Sequence, residues 1–85
     1  MNERVKLAMY CDKLVTAGVI YPYEEKPERF VIESRSCGNR AVDEELKRQF
    51  EFLGFTVQDS AYDKIEVFYN TSEMIEVIKE IFRGN

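Results

Sequence analysis

Three stretches of the chain repeat apolar residues at the three- and four-residue spacing of a helix with one buried side. The first predicts a helix over residues 3–17, which begins after Asn2 and ends before Gly18. The second predicts a helix over residues 42–53 that stops at Gly54, and the third predicts a helix that opens at Asn70. The apolar members are Leu7, Cys11, Leu14 and Val15, then Val42, Leu46, Phe50 and Leu53, then Met74, Ile75, Ile78, Ile81 and Phe82.

Four β-prone runs lie between these helices. The first is limited to an edge position by Pro22, which cannot donate a ladder hydrogen bond, and a turn containing Pro27 separates it from the second. The last two flank residues 61–63, a connection that suits a hairpin. The order αββαββα predicts an α+β domain with a mostly antiparallel four-stranded sheet and three helices on one face. The runs comprise residues 19–21, 30–35, 55–60 and 64–69.

Strand alternation then divides the sheet residues between two faces, because successive strand side chains point in opposite directions. The face toward the helices is predicted to carry Phe30, Ile32, Phe55, Val57, Ile65 and Val67. The opposite face is predicted to carry Val31, Glu33, Arg35, Thr56, Gln58, Glu66 and Phe68.

Apolar and aromatic residues on the uncovered face are typical of protein interfaces. We therefore expect a small protein-binding or self-associating module. Its predicted contact surface is Val31, Arg35 and Phe68, extended by Tyr21 and Tyr23. A register error, or a helix crossing to that side, would cover these residues instead.

A weak internal repetition accompanies this pattern. Leu14 and Phe50 each lie four residues before a glycine, Gly18 and Gly54, and each glycine is followed by two β-prone runs. Either a duplicated αββ unit or the common use of glycine as a helix stop explains the pattern.

The polar segment 34–40 supports an alternative function. It precedes a helix N-terminus, where unpaired N–H groups and the helix dipole favour an anion. A small-anion or nucleotide-phosphate site there would use Arg35, Gly38, Asn39 and Arg40. The acidic residues 43–45 count against it, because they already complement the same dipole.

Composition and charge narrow the possible partners. The 85 residues suit one domain, 1–85, and the net charge is −4, with the residues after position 40 carrying −5. This acidity makes nucleic-acid binding unlikely, since such binding depends on neutralising phosphates. The longest apolar run, Leu7–Cys11, is far short of the about 20 residues that cross a bilayer, and the N-terminus does not read as a signal peptide. No membrane partner is expected. The expected location is the cytoplasm.

Candidate catalytic and metal chemistry is sparse. The chain has no histidine, and Cys11 and Cys37 are 26 residues apart without a CxxC pair. Cys11, among apolar residues of the first helix, is expected to be a buried free thiol. Cys37 has no histidine to act as its base, so a nucleophilic role is not expected. We predict that the protein is not an enzyme and holds no metal or cofactor.

Overall fold

The computed structural model describes residues 2–35, 40–61 and 63–82. Their elements follow the predicted order αββαββα, and the α+β class is confirmed. None of the described helices is long and apolar enough to cross a membrane. The helices are α1 (Glu3–Thr16), α2 (Arg40–Phe52) and α3 (Glu73–Ile81), and the strands are β1 (Ile20–Glu25), β2 (Arg29–Ser34), β3 (Thr56–Ser60) and β4 (Lys64–Phe68).

Helix α1 has a side-chain cap at its start and a glycine stop at its end. The Val5 N–H donates to the Asn2 side-chain oxygen at 2.9 Å. At the other end, the Gly18 N–H donates to the Val15 carbonyl at 3.0 Å, and the Val19 N–H donates to the Leu14 carbonyl at 2.8 Å. With Gly18 at a φ of 74°, this is the Schellman pattern that satisfies the last helical carbonyls.

Helix α2 ends in the same hydrogen-bond pattern. The Gly54 N–H donates to the Glu51 carbonyl at 2.9 Å and the Phe55 N–H to the Phe50 carbonyl at 3.2 Å, with Gly54 at a φ of 99°. The Phe50 and Phe55 rings meet edge to face, with centroids 5.7 Å apart, which supplies the apolar contact typical of this stop. The sequence repetition therefore corresponds to two equal helix stops.

Helix α3 begins later than its sequence predicts. It starts at Glu73, after Ser72, rather than at Asn70. The Asn70 side chain donates to the Gly54 carbonyl, and its oxygen accepts from the Thr56 hydroxyl at 3.3 Å. Asn70 thus joins the start of β3 to the chain after β4 instead of capping the helix.

The strands form one antiparallel sheet in the order β1-β2-β4-β3. The two αββ units lie side by side, joined through β2 and β4, and β1 and β3 form the edges. Strand β1 is longer than predicted, because it continues through Pro22 to Glu25, with a register shift between Pro22 and Glu24. An edge strand tolerates this proline, since one side of it forms no ladder bonds.

One hydrophobic core fills the space between the sheet and the helices. Of the six predicted sheet residues, four are buried, and Phe30 and Val57 are half-buried against the same core. Phe30 is covered by Phe82 after α3, whose ring stacks on it at 5.2 Å. The buried residues of this core are Leu7, Cys11, Ile20, Ile32, Leu46, Phe50, Phe55, Ile65, Val67, Ile78 and Ile81.

Candidate functional site

The side of the sheet that faces away from the helices is called the open face. Its members follow from the cross-strand pairs, because residues directly opposite each other share a face. All five residues predicted to contact a partner lie on it, so the structure brings that set together. By these pairs the open face consists of Tyr21, Glu24, Arg29, Val31, Glu33, Thr56, Gln58, Ser60, Lys64, Glu66 and Phe68, and contacts with Lys64 and Tyr21 add Tyr23 and Arg35.

Three cations on the open face lie over aromatic rings. The Arg35 guanidinium is 4.6 Å from the centre of the Tyr21 ring, and the Lys64 ammonium is 4.5 Å from the centre of the Tyr23 ring. The Arg29 guanidinium lies 5.8 Å from the centre of the Phe68 ring. These separations are within the about 6 Å over which a ring attracts a cation.

Carboxylates accompany the same cations. The Arg35 Nε donates to Glu33 at 3.1 Å, and the Lys64 Nζ donates to Asp63 at 2.8 Å. These bonds raise the pKa of both cations, and the Lys64 bond lowers the pKa of Asp63. The positive charges of the open face are thus paired within the protein.

The Arg29 guanidinium donates to both Glu66 and Glu28. Glu66 also accepts from the Gln58 amide at 3.4 Å. The pKa of Glu66 is lowered, mainly by the hydrogen bond from Arg29, although burial of the carboxylate acts in the opposite direction. Glu66 is 8% exposed, so this carboxylate is held inside the open face and not displayed on it.

Val31 does not have the exposure that the sequence predicts for it. It lies on the expected side of the sheet, but it is 5% exposed and is not part of the core between sheet and helices. Its strand is internal, and its cross-strand neighbours are Glu24 and Glu66. Long neighbouring side chains cover such a small central residue with their stems. Val31 therefore lies beneath the surface of the open face.

The other four predicted contact residues are accessible to different degrees. Tyr23 is 56% exposed, Arg35 is exposed, and Tyr21 and Phe68 are half-buried. Their binding role stays a prediction.

Two cations of the open face were missed by sequence reasoning. Lys64 is an even-numbered residue of β4, like Glu66 and Phe68, so alternation alone was sufficient to find it. Arg29 fell one residue outside the predicted strand 30–35, and only its pairing opposite Phe68 places it on this face.

The alternative anion site falls largely outside the described residues. Cys37, Gly38 and Asn39 belong to that part of the segment. Of the two arginines, Arg35 is paired with Glu33 and stacked on Tyr21, and Arg40 is the exposed first residue of α2.

The Ser34 hydroxyl, just before this segment, donates to Asp43 in the first turn of α2 at 2.6 Å. This bond joins the end of β2 to the start of α2 and places a carboxylate at the helix N-terminus where an anion would bind.

Comparisons with protein-family models, with curated proteins and with solved structures give no significant match. Function is therefore inferred from the residues of this chain alone.

Proposed function

We propose that the protein is a small interaction module that binds a protein partner through the open face of its sheet. The observation that supports this most is the set of three cation–aromatic pairs on a face that no described helix covers. Tyrosine and arginine are enriched in protein interfaces, where they supply contact area and directed hydrogen bonds. Tyr23 and Arg35, the exposed members, are the proposed anchors.

The charge balance of the open face favours a protein over a polyanion. Each of its three cations already has a carboxylate partner, so few positive charges are free to neutralise phosphates. Balanced charges of both signs suit a protein surface of mixed polarity. The cytoplasmic location expected from the sequence remains part of this proposal.

The dimensions of the open face indicate a weak complex. From Arg29 to Arg35 the strand spans about 20 Å, and four strands at about 4.8 Å each give a width of about 19 Å. The flat area of about 400 Å² is small for a standard interface, in which each partner buries roughly 800 Å² of accessible surface. A transient contact is therefore expected from one copy of the module.

Differential capture tests the proposal. The protein is immobilised, and proteins retained from an extract of its source cells are quantified by mass spectrometry for the wild type, Tyr23→Ala and Arg35→Ala. Phe52→Ala is the matched control, because Phe52 is 72% exposed but lies on α2.

We expect a reproducible partner that the wild type and Phe52→Ala retain and that both open-face variants lose. The purified partner should then bind wild-type protein in calorimetry with at least tenfold higher affinity than it binds either open-face variant. A partner retained equally by all four proteins, or lost only with Phe52→Ala, contradicts the open face as the binding surface.

A further inference from the structure

The hydrogen bonds of β4 determine which backbone groups of β3 point away from the sheet. The Ser34 N–H donates to the Asp63 carbonyl at 2.7 Å, and the Tyr69 N–H donates to the Glu28 carbonyl at 3.1 Å. In an antiparallel sheet, alternate residues direct their backbone groups to opposite neighbours. The odd-numbered residues of β4 therefore face β2, and its even-numbered residues face β3.

The residues of β3 divide in the same way. Thr56, Gln58 and Ser60 lie opposite the even-numbered residues of β4 and exchange ladder bonds with them. Val57 and Asp59 direct their N–H and C=O groups outward. Within the described part of the chain, no backbone hydrogen bond outside the ladder involves these two residues.

The opposite edge of the sheet is protected. The Arg35 N–H donates to the Val19 carbonyl at 2.6 Å, so Val19 and Tyr21 face β2, and Ile20 and Pro22 face outward. Pro22 has no N–H, and the register shift that follows it bends the strand. Prolines, bulges and charged side chains are devices that prevent pairing at an edge. Strand β3 has neither of the first two, since its register is continuous from Thr56 to Ser60, and its one charged residue, Asp59, is paired with Lys47.

We propose that β3 is a dimerisation edge, at which β3 of a second copy pairs antiparallel about a two-fold axis at Gln58. In this register the Val57 N–H donates to the Asp59 carbonyl of the second copy, and the Asp59 N–H donates to the Val57 carbonyl of the second copy. The two-fold axis repeats both bonds, so each outward group of Val57 and Asp59 gains a partner.

The side chains of β3 fit a second copy. In this pairing Gln58 lies opposite Gln58 of the second copy, and Thr56 lies opposite its Ser60, so the pairs on the open face are uncharged. Asp59 lies opposite Val57, and its charge is compensated by the Lys47 ammonium of its own chain at 3.0 Å. No like charges lie directly opposite each other, which is the arrangement that would disfavour pairing.

The mass in solution tests this edge. Wild-type protein of 10.0 kDa should approach about 20 kDa in light scattering as its concentration rises. Asp59→Pro removes the outward N–H without touching a ladder bond to β4, and it should raise the dimer dissociation constant at least tenfold. Asp59→Ala is the matched control, because it removes the same carboxylate but keeps the N–H, and it should remain dimeric.

A second pair of variants keeps the test decisive if Asp59→Pro fails to fold by circular dichroism. Gln58→Lys and Gln58→Glu should each weaken the homodimer by placing like charges at the two-fold axis, and an equimolar mixture should form the heterodimer in native mass spectrometry. A wild type that stays at 10.0 kDa up to about 1 mM, or a mixture without excess heterodimer, overturns the proposal.

The inference does not rest on the proposed function, since it uses the outward backbone groups of Val57 and Asp59 and not the proposed anchors. Tyr23→Ala should leave the dimer intact, and Asp59→Pro should leave the anchors Tyr23 and Arg35 in place. A monomeric wild type would remove the edge proposal and leave the open face untouched.

Discussion

Replacing Val31 with alanine tests whether the neighbouring side chains of the open face bury this central residue. Val31 is 5% exposed, so the substitution removes two buried methyl groups, at about 0.8 kcal/mol each. The covering side chains are long and flexible and can settle into the space, which keeps the cavity contribution small. We expect the free energy of unfolding to fall by about 1–2 kcal/mol, a substantial part of the roughly 5–15 kcal/mol typical of a domain.

Urea unfolding followed by circular dichroism gives this difference by linear extrapolation. Ile32→Ala, on the next residue but on the fully buried helix side, should cost more, about 2–5 kcal/mol. Val31→Thr keeps the β-branched shape and should cost less than Val31→Ala, because a hydroxyl there lies beside the carboxylates of the open face. A change below about 0.5 kcal/mol for Val31→Ala would mean that Val31 is exposed in solution, and the description of this face would be wrong.

Four further outcomes are expected. Gly18→Ala and Gly54→Ala should each lower stability in urea unfolding by about 1–2 kcal/mol, because both glycines have a positive φ. In a Cys37→Ser background, Cys11 should react with a thiol reagent at pH 8 only after unfolding, since burial raises the pKa of its thiol to about 12. The pKa of Glu66 is lowered in the fold, so its stabilisation is complete above about pH 4.5 and lost on acidification, and Glu66→Gln should show a flatter decline of unfolding free energy there. Phosphate and nucleotides should leave the melting temperature unchanged, whereas about 2.7 kcal/mol of stabilisation at 100 times a dissociation constant would support the anion site.

The fold was predictable because its main signals are local. Helical spacing and two glycine stops define α1 and α2, and alternation assigns the central strands to their faces. Two of the differences between the predicted and the observed elements depend on tertiary structure. Asn70 is a residue type that caps helices, but its side chain donates to the Gly54 carbonyl instead. Pro22 is a residue type that ends strands, but β1 continues through it because β1 is an edge strand and its outer side forms no ladder bonds.

The sequence predicts on which side of the sheet each site residue lies, but not how deeply the residue is buried. Alternation places Val31 and Phe68 on the correct side, yet it contains no information on which neighbours cover them. Val31 is buried because its strand is internal and its neighbours are long, and both facts depend on the strand order β1-β2-β4-β3. The outward groups of Val57 and Asp59 depend on the pairing of β3 with β4, which no local pattern of apolar residues indicates.

The open face and the edge of β3 differ in whether their polar groups already have hydrogen-bond partners within the protein. The polar groups of the open face are largely paired within it, as Arg29 with Glu66 and Lys64 with Asp63, so a partner gains little from these charges and must displace existing contacts. The outward groups of Val57 and Asp59 have water as their alternative partner, and a second strand satisfies all of them together. Pairing through β3 would also join two open faces and double the flat area offered to a partner to about 800 Å². A partner that binds one open face only weakly could bind the joined faces of a dimer more tightly. The pairing of β3 therefore bears on the function proposed for the open face.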